Sequence, residues 1–88
     1  MKTKKGFVLR SIGREFILVA EGLEAINANR MISMNESAAF LWKSVEDKEF
    51  DADTLINLLM EEYDITHEVA ETDVASLLET WKKAEIIN

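Results

Sequence analysis

The chain contains no cysteine and no proline, only three glycines, and a single histidine among its 88 residues. Without cysteine there can be no disulfide, no thiolate metal site and no cysteine nucleophile, and nothing indicates an oxidising compartment. The glycines lie apart in the first quarter of the chain, whereas a phosphate-binding loop needs them close together. Apolar runs are short, so we expect neither a membrane span nor a signal peptide, and a cytoplasmic location.

Side chains suited to catalysis or metal binding are equally scarce. The one histidine, His67, falls in the first turn of a predicted helix, where an exposed residue without a catalytic role is the simpler interpretation. The acidic residues at 61–64 and 68–73 lack the spacing and the glycine of a calcium-binding loop, and a solvated helix face explains them. We therefore expect no enzymatic activity, no metal and no cofactor.

Acidic side chains are concentrated in the second half of the chain. The net charge is −7, and residues 46–88 carry thirteen acidic but only three basic side chains. An acidic surface repels phosphate backbones, whose neutralisation by lysine and arginine provides most of the affinity for nucleic acids. Nucleic acid is therefore not an expected partner.

The length and the 48% of hydrophobic residues predict one domain with one core, spanning residues 1–88. Segments 7–12 and 15–20 are rich in β-branched and aromatic residues and are separated by Gly13-Arg14. Glycine at the first turn position predicts a type II′ hairpin that pairs Leu9 with Leu18. Side chains then alternate between a core face and a mixed face. The predicted core face carries Phe7, Leu9, Phe16, Leu18 and Ala20.

Three helices are predicted after the strands. Asn35, Asp51 and Thr66 are suitable N-caps, and each precedes a stripe of apolar residues with helical spacing. Trp42 and Trp81 lie on these stripes, which favours core packing over a role as stacking platforms. Strands followed by helices predict an α+β domain in which a three-stranded antiparallel sheet packs on a three-helix bundle.

The third predicted strand, residues 29–34, would lie at an edge of the sheet. Edge strands are usually protected by prolines, bulges or charges, and here Arg30 is the only obvious guard. The sequence therefore indicates a possible docking edge.

The run MISMNESAAFLW, residues 31–42, resembles the signature of the family of the pyrroloquinoline-quinone biosynthesis protein D. Three more segments are similar to the same family. The family's N-terminal hairpin resembles residues 6–19, GFVLRSIGREFILV. The end of its second helix resembles residues 60–65, MEEYDI, and its third helix resembles residues 73–87, DVASLLETWKKAEII. The resemblance covers nearly the whole chain.

Members of this family are winged-helix-like peptide-binding domains without activity of their own, also called recognition elements for ribosomally synthesised and post-translationally modified peptides. The resemblance implies that a precursor's leader adds as a strand beside the third strand, in a groove shared with the third helix. The domain would act as a peptide chaperone in natural-product biosynthesis, presenting the leader to a modifying enzyme such as a radical SAM enzyme or a leader peptidase. The peptide-binding residues implied are Arg30, Met31, Ile32, Ser33, Met34, Val74, Leu77, Leu78, Trp81 and Lys82.

The chain departs from the family pattern at the end of the last helix. Many members have a glycine there, suited to a left-handed cap, where this chain has Glu85 after Ala84. Glu71, Asp73 and Glu79 on the same predicted helix indicate an acidic groove margin and hence a leader with basic residues.

Two other functions remain open from the sequence. A winged-helix DNA-binding regulator has the same strands and helices, but its recognition helix should be basic, and the later helices here are acidic. A self-associating structural subunit would pair edge strands between copies, and a monomer or a weak homodimer is compatible with the sequence. Similar domains serve different peptide pathways, so the resemblance does not by itself imply quinone biosynthesis.

Overall fold

The computed structural model describes residues 1–21 and 31–88 and has three strands followed by three helices. One antiparallel sheet has the order β1-β2-β3, and the predicted α+β class and element order are confirmed. The elements are β1 (Phe7–Ile12), β2 (Glu15–Ala20), β3 (Met31–Met34), α1 (Glu36–Val45), α2 (Ala52–Glu62) and α3 (His67–Lys83). The first two residues of the predicted third strand, including the expected guard Arg30, lie outside the described residues. Within the described part, no helix is long and apolar enough to cross a membrane.

The β1–β2 hairpin turns at Gly13-Arg14, as predicted. Gly13 has φ 63°, and Arg14 is not among the described residues with positive φ, which is the pattern of a type II′ turn. A Cβ at Gly13 would meet nothing within 4 Å, so the backbone conformation and not packing requires glycine here. The register pairs Leu9 with Leu18, also as predicted.

The two faces of the sheet differ as the alternation of side chains predicts. Leu18 is fully buried, Phe7 is 7% exposed, and the other predicted core-face residues pack partly buried against the same core. On the opposite face, Val8, Ile12 and Met31 are 40%, 55% and 69% exposed. The helices therefore cover one face of the sheet only.

Each helix begins after its predicted N-cap. The Asn35 side chain accepts a hydrogen bond from the Ala38 N–H at 2.8 Å, and the Thr66 side chain caps α3 in the same way. Asp51 and Thr54 form a reciprocal capping box at the start of α2. Each of these caps satisfies main-chain N–H groups that have no partner within the helix.

The two tryptophans lie at the centre of the core, as predicted. Trp42 of α1 and Trp81 of α3 are 0% and 1% exposed, and their rings meet edge to face with centroids 5.3 Å apart. Such a contact adds about 0.5–1.5 kcal/mol to the free energy gained by burial. The Trp42 indole N–H finds no acceptor among the described residues, so packing alone holds this ring. The pair fixes α3 against α1.

Helix α3 ends in a Schellman motif that places Glu85 in the left-handed region, with φ 59°. The Glu85 N–H donates to the Lys82 carbonyl at 3.1 Å, and the Ile86 N–H donates to the Trp81 carbonyl at 3.2 Å. Ile86 is fully buried, as the hydrophobic contact of this motif requires. The helix thus ends as a glycine-capped helix does, although a residue with a side chain occupies the strained position.

Hydrogen bonds in the sheet alternate from the hairpin turn. In a two-residue hairpin the pair flanking the loop, Ile12 and Glu15, is hydrogen-bonded, and bonded pairs then occur at every second position. The bond from the Glu21 N–H to the Gly6 carbonyl, at 2.7 Å, fits this alternation. The β2 residues between the bonded ones therefore direct their main-chain groups toward β3.

This alternation determines which main-chain groups of β3 remain open. Ile32 and Met34 lie opposite the β2 residues that point toward β3, so their N–H and C=O groups bond to β2. The N–H and C=O groups of Met31 and Ser33 point away from β2 and have no main-chain partner elsewhere within residues 1–21 and 31–88. We call these four groups the open edge of β3.

We expect Glu85→Gly to stabilise the protein. Glycine adopts the left-handed region without the steric cost that a side chain brings, so the free energy of unfolding should rise by about 0.5–1 kcal/mol. Glu85→Ala is the matched control, because it removes the same carboxylate but keeps a Cβ, and it should give no such gain. Chemical denaturation of the three proteins measures the difference, and equal stability of the two variants would contradict the explanation.

The open edge predicts an alternating pattern of amide hydrogen exchange. The N–H groups of Met31 and Ser33 should exchange at least about tenfold faster than those of Ile32 and Met34, because only the latter pair bonds to β2. Exchange followed by NMR at low protein concentration measures the four rates. Equal protection of all four N–H groups in the monomer would refute the assigned edge.

Candidate functional site

A groove between α1 and α3 begins where β3 ends. Asn35, the residue after β3, lines this groove, whose volume is about 350 Å³. Its floor consists of Ala38 and Leu41 from α1 and Leu59 from α2. One face of α3 forms the opposite wall, with the side chains of Asp73, Ser76, Leu77 and Thr80.

A second lobe extends the groove toward the start of α3. It has a volume of about 340 Å³, shares Leu59 and Asp73 with the first lobe, and continues to Tyr63 and Ile65. Glu36, in the first turn of α1, borders this lobe. We call the two lobes together the α1–α3 groove.

The apolar surface of the groove is continuous with the core. Leu41 and Leu59 are only 1% and 4% exposed, whereas Leu77 is half-buried. An apolar side chain entering the groove would therefore contact Leu77 at the wall and core residues beneath it. Leu77 is therefore the most accessible apolar side chain of the first lobe's leucines.

The charged lining of the groove is negative. Within residues 1–21 and 31–88, Glu36 and Asp73 are the only charged side chains that line either lobe, and neither is in an ion pair there. Burial, followed by the charges of Glu36 and Glu62, raises the pKa of Tyr63 above its ordinary value of 10.0. The groove therefore favours a positively charged group over a negative one.

The helix residues implied by the resemblance do not all lie at the groove. Val74, Leu78 and Trp81 are 1%, 7% and 1% exposed and belong to the core. Leu77 is the one of them that lines the groove. Lys82 is exposed, on the opposite flank of α3 from the groove wall.

The three acidic residues expected at the groove margin are also separated. Asp73 lines the groove, whereas Glu71 and Glu79 lie roughly 120–160° away around α3. Glu71 is 3.8 Å from His67, and Glu79 is 3.0 Å from Lys83, on the exposed side of the helix. The acidic margin of the groove thus consists of Asp73 together with Glu36.

The strand residues divide between the two faces of the sheet. Met31 and Ser33 are exposed on the outer face and carry the open main-chain groups. Ile32 is half-buried and Met34 is 7% exposed, and both face the core. Arg30 lies outside the described residues.

Several groove residues were not singled out from the sequence, among them Glu36, Ser76 and Thr80. A signal for the α3 wall does exist, because residues 73, 76, 77 and 80 have the i, i+3, i+4, i+7 spacing of one helix face. That face holds one leucine among polar residues and adjoins the fully apolar stripe. Leu77, at the boundary between the two faces, can therefore line the groove while the neighbouring apolar residues pack in the core.

Other candidate sites are weaker. The described residues contain no group of three or more side chains that could hold a metal ion. A concave region of about 820 Å³, larger than either lobe of the groove, is lined by Lys2, Lys4 and Lys5 and by Phe7, which is only 7% exposed. None of the residues that line that region belongs to β3 or to α3.

Comparisons with known proteins agree with the fold described above. A search of curated proteins found no match. The solved structure of TbiB1 in complex with the TbiA(beta) leader peptide is similar, with a TM-score of 0.78 and 16% identity over 100% of this chain and 95% of that one. Lasso peptide synthetase B1 complexed with the leader peptide has a TM-score of 0.67 and 20% identity over 93% of this chain and 89% of that one.

A family model described as coenzyme PQQ synthesis protein D (PqqD) matches residues 7–87, which include all six strands and helices. The similar structures share the fold of this chain. The chain therefore belongs to the coenzyme PQQ synthesis protein D family.

Proposed function

We propose that this chain is a single peptide-recognition domain that binds the leader of a ribosomally synthesised precursor peptide and presents it to a separate modifying enzyme. The observation that carries the proposal is the open edge of β3, a strand that is followed directly by Asn35, a lining residue of the α1–α3 groove. Family membership supports it, as do the two similar structures, each of which holds a leader peptide.

Strand addition accounts for both parts of the site. The N–H and C=O groups of Met31 and Ser33 would pair with the main chain of an extended leader, which supplies affinity with little dependence on sequence. Alternate side chains of the added strand would point toward the helices. Leu77 and the groove floor would then select among leaders by the fit of these side chains.

The domain supplies binding and not chemistry in this proposal. Its one histidine, His67, is exposed and lies 3.8 Å from Glu71 on the far side of α3 from the groove. The modification would be performed by a partner such as a radical SAM enzyme or a leader peptidase, in the cytoplasm. The acidic α2 and α3 argue against the alternative of a DNA-binding regulator.

Self-association through β3 is the competing use of the open edge. It predicts that Met31 and Ser33 become protected from hydrogen exchange as the protein concentration rises, with no peptide present. Leader binding predicts the same protection only when peptide is added.

Blocking the open edge should abolish strand addition. Ser33→Pro removes an N–H that points away from β2, so the sheet should persist while the leader loses a main-chain bond and meets the proline ring. We expect affinity for the leader of a precursor peptide encoded beside this protein to fall by at least about tenfold, or 1.4 kcal/mol. Fluorescence polarisation of the labelled leader measures it.

Ser11→Pro is the matched control for this experiment. Ser11 is exposed, and its N–H points away from β2 at the opposite edge of the sheet, on β1. This variant should bind the leader with unchanged affinity. Equal weakening by both prolines, or by neither, would contradict strand addition at β3, and failure of every neighbouring leader to bind would refute the proposed function.

Leu77→Ala and Leu78→Ala should distinguish the effect of a groove residue on leader binding from the effect of a core residue on stability. Because Leu77 is half-buried at the groove, its truncation should weaken leader binding by about tenfold with a small loss of stability. Leu78→Ala, one residue further along α3, should instead reduce the free energy of unfolding by about 2–5 kcal/mol. Met60→Ala truncates a partly exposed side chain outside the groove and should change neither. Unchanged affinity for Leu77→Ala would remove this residue from the site.

A further inference from the structure

The α3 wall of the groove places an apolar and an acidic side chain one turn apart. Leu77 follows Asp73 by four residues, and both line the first lobe. Four residues of α-helix rise about 6 Å. In an extended peptide, side chains on the same side are two residues apart, which is about 6.6–6.8 Å. A strand lying along this wall can therefore place successive same-side residues against Leu77 and Asp73.

We propose, on the basis of the function proposed above, that the groove selects leaders in which an apolar residue and a basic residue lie two positions apart. The apolar side chain lies against Leu77 above the floor made by Leu41 and Leu59. The basic side chain lies between Asp73 and Glu36. The occupant is thus a short amphipathic strand with a positive charge at a defined position.

Charge complementarity within the groove supports this occupant. Both carboxylates that line the groove are without an ion-pair partner among the described residues, so a bound cation would not have to displace any cationic side chain of residues 1–21 and 31–88. Burial raises the pKa of Tyr63 in the second lobe, and the nearby charges of Glu36 and Glu62 raise it further. An acidic leader residue at the same position would be repelled by both groove carboxylates.

The arrangement also explains why position should matter more than total charge. Glu71 and Glu79 add to the negative charge of α3 but lie on the flank away from the groove, each near a basic side chain. They can speed the approach of a basic peptide but cannot contact it in the groove. The charge preference should therefore be confined to one leader position.

A charge scan of the leader tests the proposal. Each position of a labelled leader that binds is replaced in turn by lysine and by glutamate, and affinities are measured by fluorescence polarisation. The unaltered protein should prefer lysine over glutamate by about five- to tenfold at one position, two residues from the apolar residue whose truncation weakens binding. The preference should shrink between about 0.1 M and 1 M salt, as the Debye length falls from about 10 Å to 3 Å.

Charge reversal on the protein identifies the carboxylate that contacts the basic side chain of the leader. Asp73→Lys should invert the preference at that one position, so that glutamate binds more tightly than lysine. Glu71→Lys makes the same change of net charge on the far flank of α3 and should leave the preference in place. Thermal unfolding of both variants should match that of the unaltered protein, because both residues are exposed.

Three outcomes would overturn the inference. The first is equal affinity for lysine and glutamate at every leader position. The second is an inversion of the lysine preference by Glu71→Lys that is as large as the inversion by Asp73→Lys. The third is a lysine preference at a leader position that is not two residues from the apolar residue whose truncation weakens binding. Leader binding that Ser33→Pro weakens but that shows no charge preference overturns this inference alone, whereas the absence of any leader binding refutes the proposed function as well.

Discussion

The two-residue turn at Gly13 is the constraint on which the rest of the structure depends. Because side chains alternate along a strand, a slip of one residue in the hairpin would turn Leu18 out of the core. The same slip would exchange the bonded and open main-chain groups of β3. Only the positive φ at Gly13 allows the tight turn that fixes this register. One glycine near the start of the sheet thus determines which main-chain groups point outward at its far edge.

Helix α3 packs in the core with one face and lines the groove with the adjacent face. Val74 and Trp81 hold one face in the core, and the edge-to-face contact of Trp81 with Trp42 joins α3 to α1. The neighbouring face, with Asp73 and Leu77, forms a groove wall. The tryptophan contact therefore holds together the two helices that flank the groove. If the groove binds the leader as proposed, substitutions in the wall would change peptide selection while the packing of the helix is preserved.

Local chemistry made most of the fold predictable from the sequence, but the site depends on tertiary distances. Asn35 acts through a short-range hydrogen bond and Gly13 through its backbone freedom, and both effects can be predicted from a few neighbouring residues. Apolar periodicity marks Leu77 and Leu78 alike, yet one residue borders the groove and the other is in the core. Glu36 comes to lie across the groove from Asp73 only when α1 and α3 pack together. The left-handed conformation of Glu85 shows that the need for a Schellman motif outweighed the preference for glycine.

An open strand edge is a hazard, because it can pair with any extended chain, including another copy of the same protein. The net charge of −7 opposes that outcome, since copies of an acidic domain repel each other at close range. The same charge attracts a basic peptide, and Asp73 and Glu36 give the attraction a location beside the edge. Main-chain pairing at Met31 and Ser33 alone would bind extended peptides with little selectivity. Under the proposed function, coupling to an acidic groove would let it discriminate between the protein's own copies and a ligand of opposite charge, which is the selectivity that a peptide-presenting domain requires.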